Sequence, residues 1–217
     1  METRRLGSIS YEQAWQLQQQ LIEQRAENKL SDTVLLLEHP HVITYGKRSP
    51  EKDATPQSIQ GVPTFAVERG GESTYHGPGQ LVAYPIFLIP ERMGPKAFLR
   101  VLENVIISVL AHYQIPAFAI REKTGVWIHD ASGAEKKIAS LGIALRRNVS
   151  YHGLALNVNP ELRYFGLINP CGFSPSVMTS MSQVLGENTP ALADVGERLA
   201  IELQKTFEEQ VRAHYSS

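Results

Sequence analysis

The chain has 217 residues, of which 42% are hydrophobic and 20% charged, with a formal net charge of -1. That composition excludes a disordered chain and leaves enough apolar side chain for a core. The charge balance gives no bulk attraction to nucleic acid or to a membrane, so neither is expected as a partner.

The first predicted element is a helix over residues 11–28. Ser10 followed by Gln13 has the form of a capping box, and Tyr11, Ala14, Trp15, Leu21 and Ile22 recur at helical spacing. Short β-rich runs follow at residues 33–38 and 42–45. Residues 47–62 are polar, with scattered Pro and Gly, and read as a surface loop. Strands are expected at 64–68 and 81–87, with a Gly-rich loop, residues 69–80, between them. Pro95 sits where a helix begins. The stripe Ala97, Phe98, Val101, Leu102, Val105, Ile106, Val109 and Leu110 is the clearest helix in the chain. Residues 126–129 and 138–145 flank the polar turn 130–135 as a hairpin, and 151–158 reads as a strand. Residues 170–172 form a loop. Thr189 and Pro190 open a last helix carrying Leu192, Val195, Leu199, Leu203, Phe207 and Val211. Mixed helices and strands with hairpin connections predict an α+β (mixed α/β) fold. No long linker interrupts it, so residues 1–217 read as a single domain, with the polar stretch after Ser176 a candidate smaller subdomain. No run reaches the ~18 apolar residues of a membrane span. Met1 to Ser10 lacks the apolar core of a secretory leader. The one cysteine, Cys171, excludes an intramolecular disulfide and fits a reducing compartment, so the expectation is a cytoplasmic protein.

Two constellations carry candidate chemistry. Residues 69–80 hold four glycines and a proline beside Arg69, Ser73, Thr74, Tyr75 and His76. Glycine lets a ligand approach the backbone, and the neighbouring side chains add donors. The same composition equally describes a tight turn, and His76 alone favours a structural role. The loop has neither the Gly-Lys-Ser/Thr ending nor the Gly-x-Gly-x-x-Gly of a phosphate binder. The second constellation is Cys171, between Pro170 and Gly172, with Lys136 and Lys137 ahead of the apolar run at 138–142. A turn presents a thiol to substrate, whereas most cysteines are small buried apolar residues. A thiolate needs a nearby cation, and a lysine entering an apolar strand loses its proton more readily. Periodicity alone favours both lysines as solvated charges at a hairpin tip. The seven histidines do not fall at ligand spacing, and His39-Pro40-His41 fits no zinc pattern, so no metal and no cofactor are expected. No Ser stands in a Gly-x-Ser-x-Gly elbow.

Arg69-Gly70-Gly71-x-x-Thr74-Tyr75-His76-Gly-Pro-Gly-Gln80, Lys137-Ile-Ala-Ser140-Leu141-Gly142 and Pro170-Cys171-Gly172, in this order, resemble the signature of the lipoyl(octanoyl) transferases. Tyr151-His-Gly153-Leu154-Ala155-Leu-Asn-Val158 is also similar to that family. The resemblance covers roughly residues 34–178; the terminal helices are generic. It implies a fold related to the biotin and lipoate protein ligases. It implies an octanoyl group passed from octanoyl-acyl carrier protein to a lysine of a lipoyl domain, through a thioester on Cys171 tuned by Lys137. The implied acceptors are the lipoyl domains of 2-oxoacid dehydrogenase E2 subunits and the glycine cleavage H protein. Implied substrate contacts are Arg69, Gly70, Gly71, Glu72, Ser73, Thr74, Tyr75, His76, Ser140, Leu141, Gly142, Gly153, Leu154 and Ala155. The family shows one lysine before Ile-Ala and this chain has two; Lys137 takes the role because it directly precedes Ile138. Rival readings are an ATP-dependent lipoate or biotin ligase on the same fold, a non-enzymatic lipoyl-domain binder, and an acyl-thioester hydrolase.

Overall fold

The computed structural model describes residues 1–168 and 175–215, and beyond residue 209 the helical backbone only. Seven strands form the large sheet: β1 (Glu2–Ser8), β2 (Thr33–Glu38), β7 (Gln80–Ile86), β8 (Phe118–Ile120), β9 (Lys123–His129), β10 (Glu135–Arg146) and β11 (Val149–Asn157). Their order is β1-β2-β7-β11-β10-β9-β8. Only β1 and β2 run parallel, joined through helix α1 (Tyr11–Ala26); the remaining pairs are antiparallel. A four-stranded sheet of β4 (Ser58–Ile59), β5 (Val62–Ala66), β3 (Val42–Tyr45) and β6 (Ser73–His76) packs beside it and is also mixed. The fold is thus α+β, as expected.

Alternation divides the large sheet into two faces. Val34, Leu36, Leu81, Ala83, Leu154 and Leu156 face α2 (Gly94–His112) and α4 (Leu192–Tyr215), in one cluster with Phe98, Leu102, Ile106, Leu199, Leu203 and Phe207. Leu35, Leu37, Val82, Tyr84 and Ala155 face the other way, against Ala14, Leu21 and Ile22 of α1. A sheet covered on both faces explains why β2 and β7 read as near-continuous apolar runs. The polar stretch after Ser176 is no separate subdomain. Its helix α4 buries Val195, Leu199, Leu203 and Phe207 in the main core; its polar composition belongs to the solvent face of an amphipathic helix.

The predicted boundaries of α1, β2, β3 and α2 lie within two residues of those observed. Ser10 caps α1, its oxygen accepting the Gln13 amide at 3.3 Å. Several elements were not anticipated: β4 lies in the stretch 47–62 read as a surface loop, β8 where no element was expected, and three more are instructive. Strand β1, Glu-Thr-Arg-Arg-Leu-Gly-Ser, is polar because it is a half-exposed edge strand, so no alternation marks it. Strand β6 lies inside the segment read as a loop, where its four residues are too few to stand out among glycines. Helix α3 (Met181–Leu185) is a single capped turn.

Candidate active site

A narrow cleft opens between the two sheets on the α1 side of the large one. Its walls are Tyr11, Arg69, Gly71, Thr74, His76, Tyr84, Ser140, Leu141, Gly142, His152, Gly153, Leu154 and Ala155. Ten of these were anticipated, in the Gly-rich segment and on β10 and β11; Tyr11, Tyr84 and His152 were not.

The short strand β6 sorts the Gly-rich segment by period two. Thr74 and His76 border the cleft. Tyr75 turns the other way, into the small sheet's own cluster with Ile43, Phe165 and Ile168. Ser73 borders a separate depression near Tyr45 and Ile168. Gly70 and Glu72 act through their backbones: the Gly70 amide donates to Ile143 O at 2.9 Å, and Glu72 O accepts from Gly46 at 3.1 Å. Arg69 is buried. Its guanidinium donates to Thr44 O and Thr44 Oγ1, each at 2.8 Å, and to Gly70 O at 3.1 Å, so a cation is locked into the cleft wall.

Gly142 and Gly153 face each other across β10 and β11. A Cβ at Gly142 would lie 2.8 Å from Gly70 O, and one at Gly153 would meet Ala83 O and stand 2.6 Å from Pro85 Cδ. Glycine here permits close approach of one backbone to another. Leu141 and Leu154 are also paired and border the cleft, while their side chains pack on the cluster beneath the sheet.

Histidines and tyrosines make the far wall. His39 directs Nδ1 at Ile9 O, 2.7 Å away, and Nε2 at Tyr84 OH, 2.8 Å away. A carbonyl only accepts, so Nδ1 carries the proton. Burial holds His39 neutral, its pKa pushed down to about 4. Tyr84 therefore donates to bare Nε2. Burial raises the pKa of both Tyr84 and Tyr11. His76 is pushed down to about 3, by burial first and by neighbouring His39 second. His152 has a left-handed backbone, φ 55°, which takes its ring out of the strand's alternation and toward Tyr11 and Tyr84; its amide bonds Gln18 Oε1 at 2.7 Å.

Lys137 and Lys136 part company. The register of β10 slips between Lys137 and Ala139, a bulge. Ile138 and Ala139 are consecutive, yet both join the cluster beneath the sheet. Lys137 before them and Ser140 after them therefore share the opposite face, the one that bears the cleft. Lys137 is only 3% exposed, with its ammonium 5.6 Å from the centre of the Trp127 ring, its cross-strand neighbour. Lys136 is part-exposed and donates to Ser176 O at 2.9 Å. The segment after Ser176 then docks on β10: Met178 bridges Lys137, and the Thr179 amide donates to Lys137 O at 3.0 Å. Cys171, with Pro170 and Gly172, lies outside the described residues. Among the described residues, no group of three or more His, Cys, Asp or Glu side chains could hold a metal, and no helix is long and apolar enough to cross a membrane.

Residues 10–204 match the family described as the lipoyl protein ligase A/B catalytic domain. The chain belongs to that family. Among members of known name, the octanoyltransferase of Chloroflexus aurantiacus is 42% identical over 208 residues, 93% of this chain and 92% of the relative. Solved neighbours share the fold at low identity. A bipartite lipoate protein ligase with its E2 lipoyl domain, from Thermoplasma acidophilum, aligns with a TM-score of 0.68 at 16% identity, over 96% of this chain and 84% of that one. The biotin protein ligase of Aquifex aeolicus with biotin and ATP aligns at 0.53 and 12%, over 96% and 71%. This member of the lipoyl protein ligase A/B family is an acyltransferase. In it the unanticipated walls Tyr11, Tyr84 and His152 gave little sequence signal. Tyr11 reads as a helix-face residue, and Tyr84 lies in an apolar run. His152 is within the stretch similar to the lipoyl(octanoyl) transferases, and its left-handed backbone is not legible from residue type.

Proposed function

We propose that the chain transfers an octanoyl group from octanoyl-acyl carrier protein to a lysine of a lipoyl domain, by way of a thioester on Cys171. The Cys171 thiolate attacks the donor carbonyl, a new C–S bond forms, and the carrier's thiolate leaves. The lysine nitrogen then attacks the acyl-enzyme; a C–N bond forms, the Cys171 sulfur leaves, and the nitrogen gives up a proton. The first step exchanges one thioester for another and needs no ATP. The second yields an amide, more stable than a thioester, and draws the sequence forward. Lys137 as a cation favours the thiolate, and as a neutral amine takes the proton from the nucleophile. The acceptors are lipoyl domains of 2-oxoacid dehydrogenase E2 subunits and the glycine cleavage H protein, and the work is done in the cytoplasm by residues 1–217 as one catalytic domain.

The observation that carries this reading is the setting of Lys137. A lysine is buried on the cleft face of β10, and its carbonyl holds the segment that follows Cys171 in sequence. The name and 42% identity of the Chloroflexus relative support octanoyl as the group moved. The cleft between Arg69, His76 and the β10–β11 glycines supports the substrate contacts.

The test is intact-mass analysis after incubation with octanoyl carrier protein. The expected product is one hydroxylamine-labile octanoyl adduct, absent from Cys171→Ala, that is lost on adding a lipoyl domain. An adduct that persists in Cys171→Ala overturns the reading. So does lipoyl-domain octanoylation from free octanoate that requires ATP, which would assign an adenylating ligase. Octanoate released at the same rate with or without a lipoyl domain would assign a hydrolase.

A further inference from the structure

A chain of buried amides runs from His76 to Lys137, and one backbone carbonyl sets its polarity. Asn157 Nδ2 donates to Thr179 O at 2.8 Å, and a carbonyl can only accept. That turns Asn157 Oδ1 toward Gln80, whose Nε2 donates to it at 2.9 Å and to Tyr75 O at 3.3 Å. Gln80 Oε1 is left to face His76 Nδ1, 2.6 Å away, so Nδ1 must carry the proton. At the other end the Thr179 amide donates to Lys137 O at 3.0 Å. Gln80 and Asn157 stand directly opposite each other on β7 and β11, which is why their side chains meet. Both are 1% exposed. Burying two amides is costly unless every group is paired, and a paired network has one arrangement.

The consequence lies at the other ring nitrogen. With Nδ1 protonated and the ring neutral, His76 Nε2 is an acceptor. It makes no hydrogen bond among the described residues, and His76 lines the cleft. Tyr11 stacks on the ring, with centroids 6.5 Å apart, and His39 meets it edge-on at 5.8 Å, which holds its plane. An acceptor in an acyl-transfer cleft has no use for a thioester, which offers no donor. An amine does offer one. We propose that His76 Nε2 accepts a hydrogen bond from the attacking amine of the acceptor lysine, and that Gln80 and Asn157 are positioning residues that hold this tautomer and tie it to the strand carrying Lys137. The inference rests on the octanoyl-transfer reading. A ring whose pKa lies at about 3 cannot keep a proton near neutral pH, so His76 orients the nitrogen lone pair and the proton goes elsewhere, to Lys137 in the mechanism above.

The experiment uses the full chain with ¹⁵N-labelled histidine, octanoyl carrier protein and a lipoyl domain. Long-range ¹H–¹⁵N spectra, with His76 assigned by loss of its signals in His76→Gln, should show a neutral ring protonated at Nδ1. In Gln80→Met, which keeps the volume and removes the acceptor, the tautomer should become mixed. In single-turnover assays of Gln80→Met, Cys171 acylation should stay within about threefold, while transfer to the lipoyl domain slows by about 10- to 100-fold, as expected when a reacting group loses its orientation. A native ring protonated at Nε2 overturns the relay without needing any variant to fold. Equal slowing of both half-reactions, or unchanged transfer in Gln80→Met, overturns the role of His76. A native chain that forms no Cys171 adduct sinks the transfer reading and the amine contact with it, while the spectra still judge the relay.

Discussion

Replacing His39 by Gln should flatten the acid dependence of stability while keeping the cleft wall. His39 is fully buried, with both ring nitrogens bonded, to Ile9 O and Tyr84 OH. Burial lowers its pKa from 6.5 to about 4. Below pH 6.5 the unfolded chain takes up a proton at this histidine and the folded chain does not. Stability is therefore fully present above pH 6.5 and is lost as pH falls toward 4. The gap from 6.5 to about 4, at about 1.4 kcal/mol per pH unit, is worth about 3 kcal/mol in all, of which about 2 kcal/mol falls between pH 7 and pH 5. Glutamine can donate to Ile9 O and accept from Tyr84 OH without titrating. Urea denaturation of both chains at pH 7 and pH 5 measures the difference. The His39→Gln chain should lose about 2 kcal/mol less than the native chain across that interval; His76 and His152, also lowered by burial, destabilise both chains alike in acid. Equal losses in the two chains would refute a buried neutral His39.

Other outcomes follow from the same geometry. Lys137→Ala should slow acyl transfer by about 10²- to 10⁴-fold in single-turnover assays, the range for losing a positioned acid–base group, while Lys136→Ala stays within about threefold; similar losses in both would mean the burial of Lys137 is not what matters. Gly153→Ala places a methyl group against Ala83 O and Pro85 and should cost about 1 to 3 kcal/mol in chemical denaturation, as overpacking does. Leu203→Ala in α4 empties a fully buried position in the main core and should cost about 2 to 5 kcal/mol; a loss under 1 kcal/mol would show that α4 docks weakly.

Much of this was legible in residue order alone. The stripe from Phe98 to Leu110 marks α2 because a helix facing a core repeats its apolar side chains every 3.6 residues, whatever lies opposite. Thr33–Glu38 and the hairpin of β9 and β10 read as strands for equally local reasons. The segments that carry Arg69, Lys137 and Cys171 carried the resemblance that pointed to acyl transfer. Which side chains of those segments share a cleft was a different question. Thr74 and His76 meet it and Tyr75 does not, because β6 pairs with β3 and alternates. Lys137 shares the face of Ser140 only because a bulge adds a residue between them. His76 owes its tautomer to Thr179 O, about a hundred residues away in sequence. Periodicity and capping act within a few residues and survive in any string that folds. Facing, pairing and proton placement are set by partners that the chain meets only once its sheets have closed.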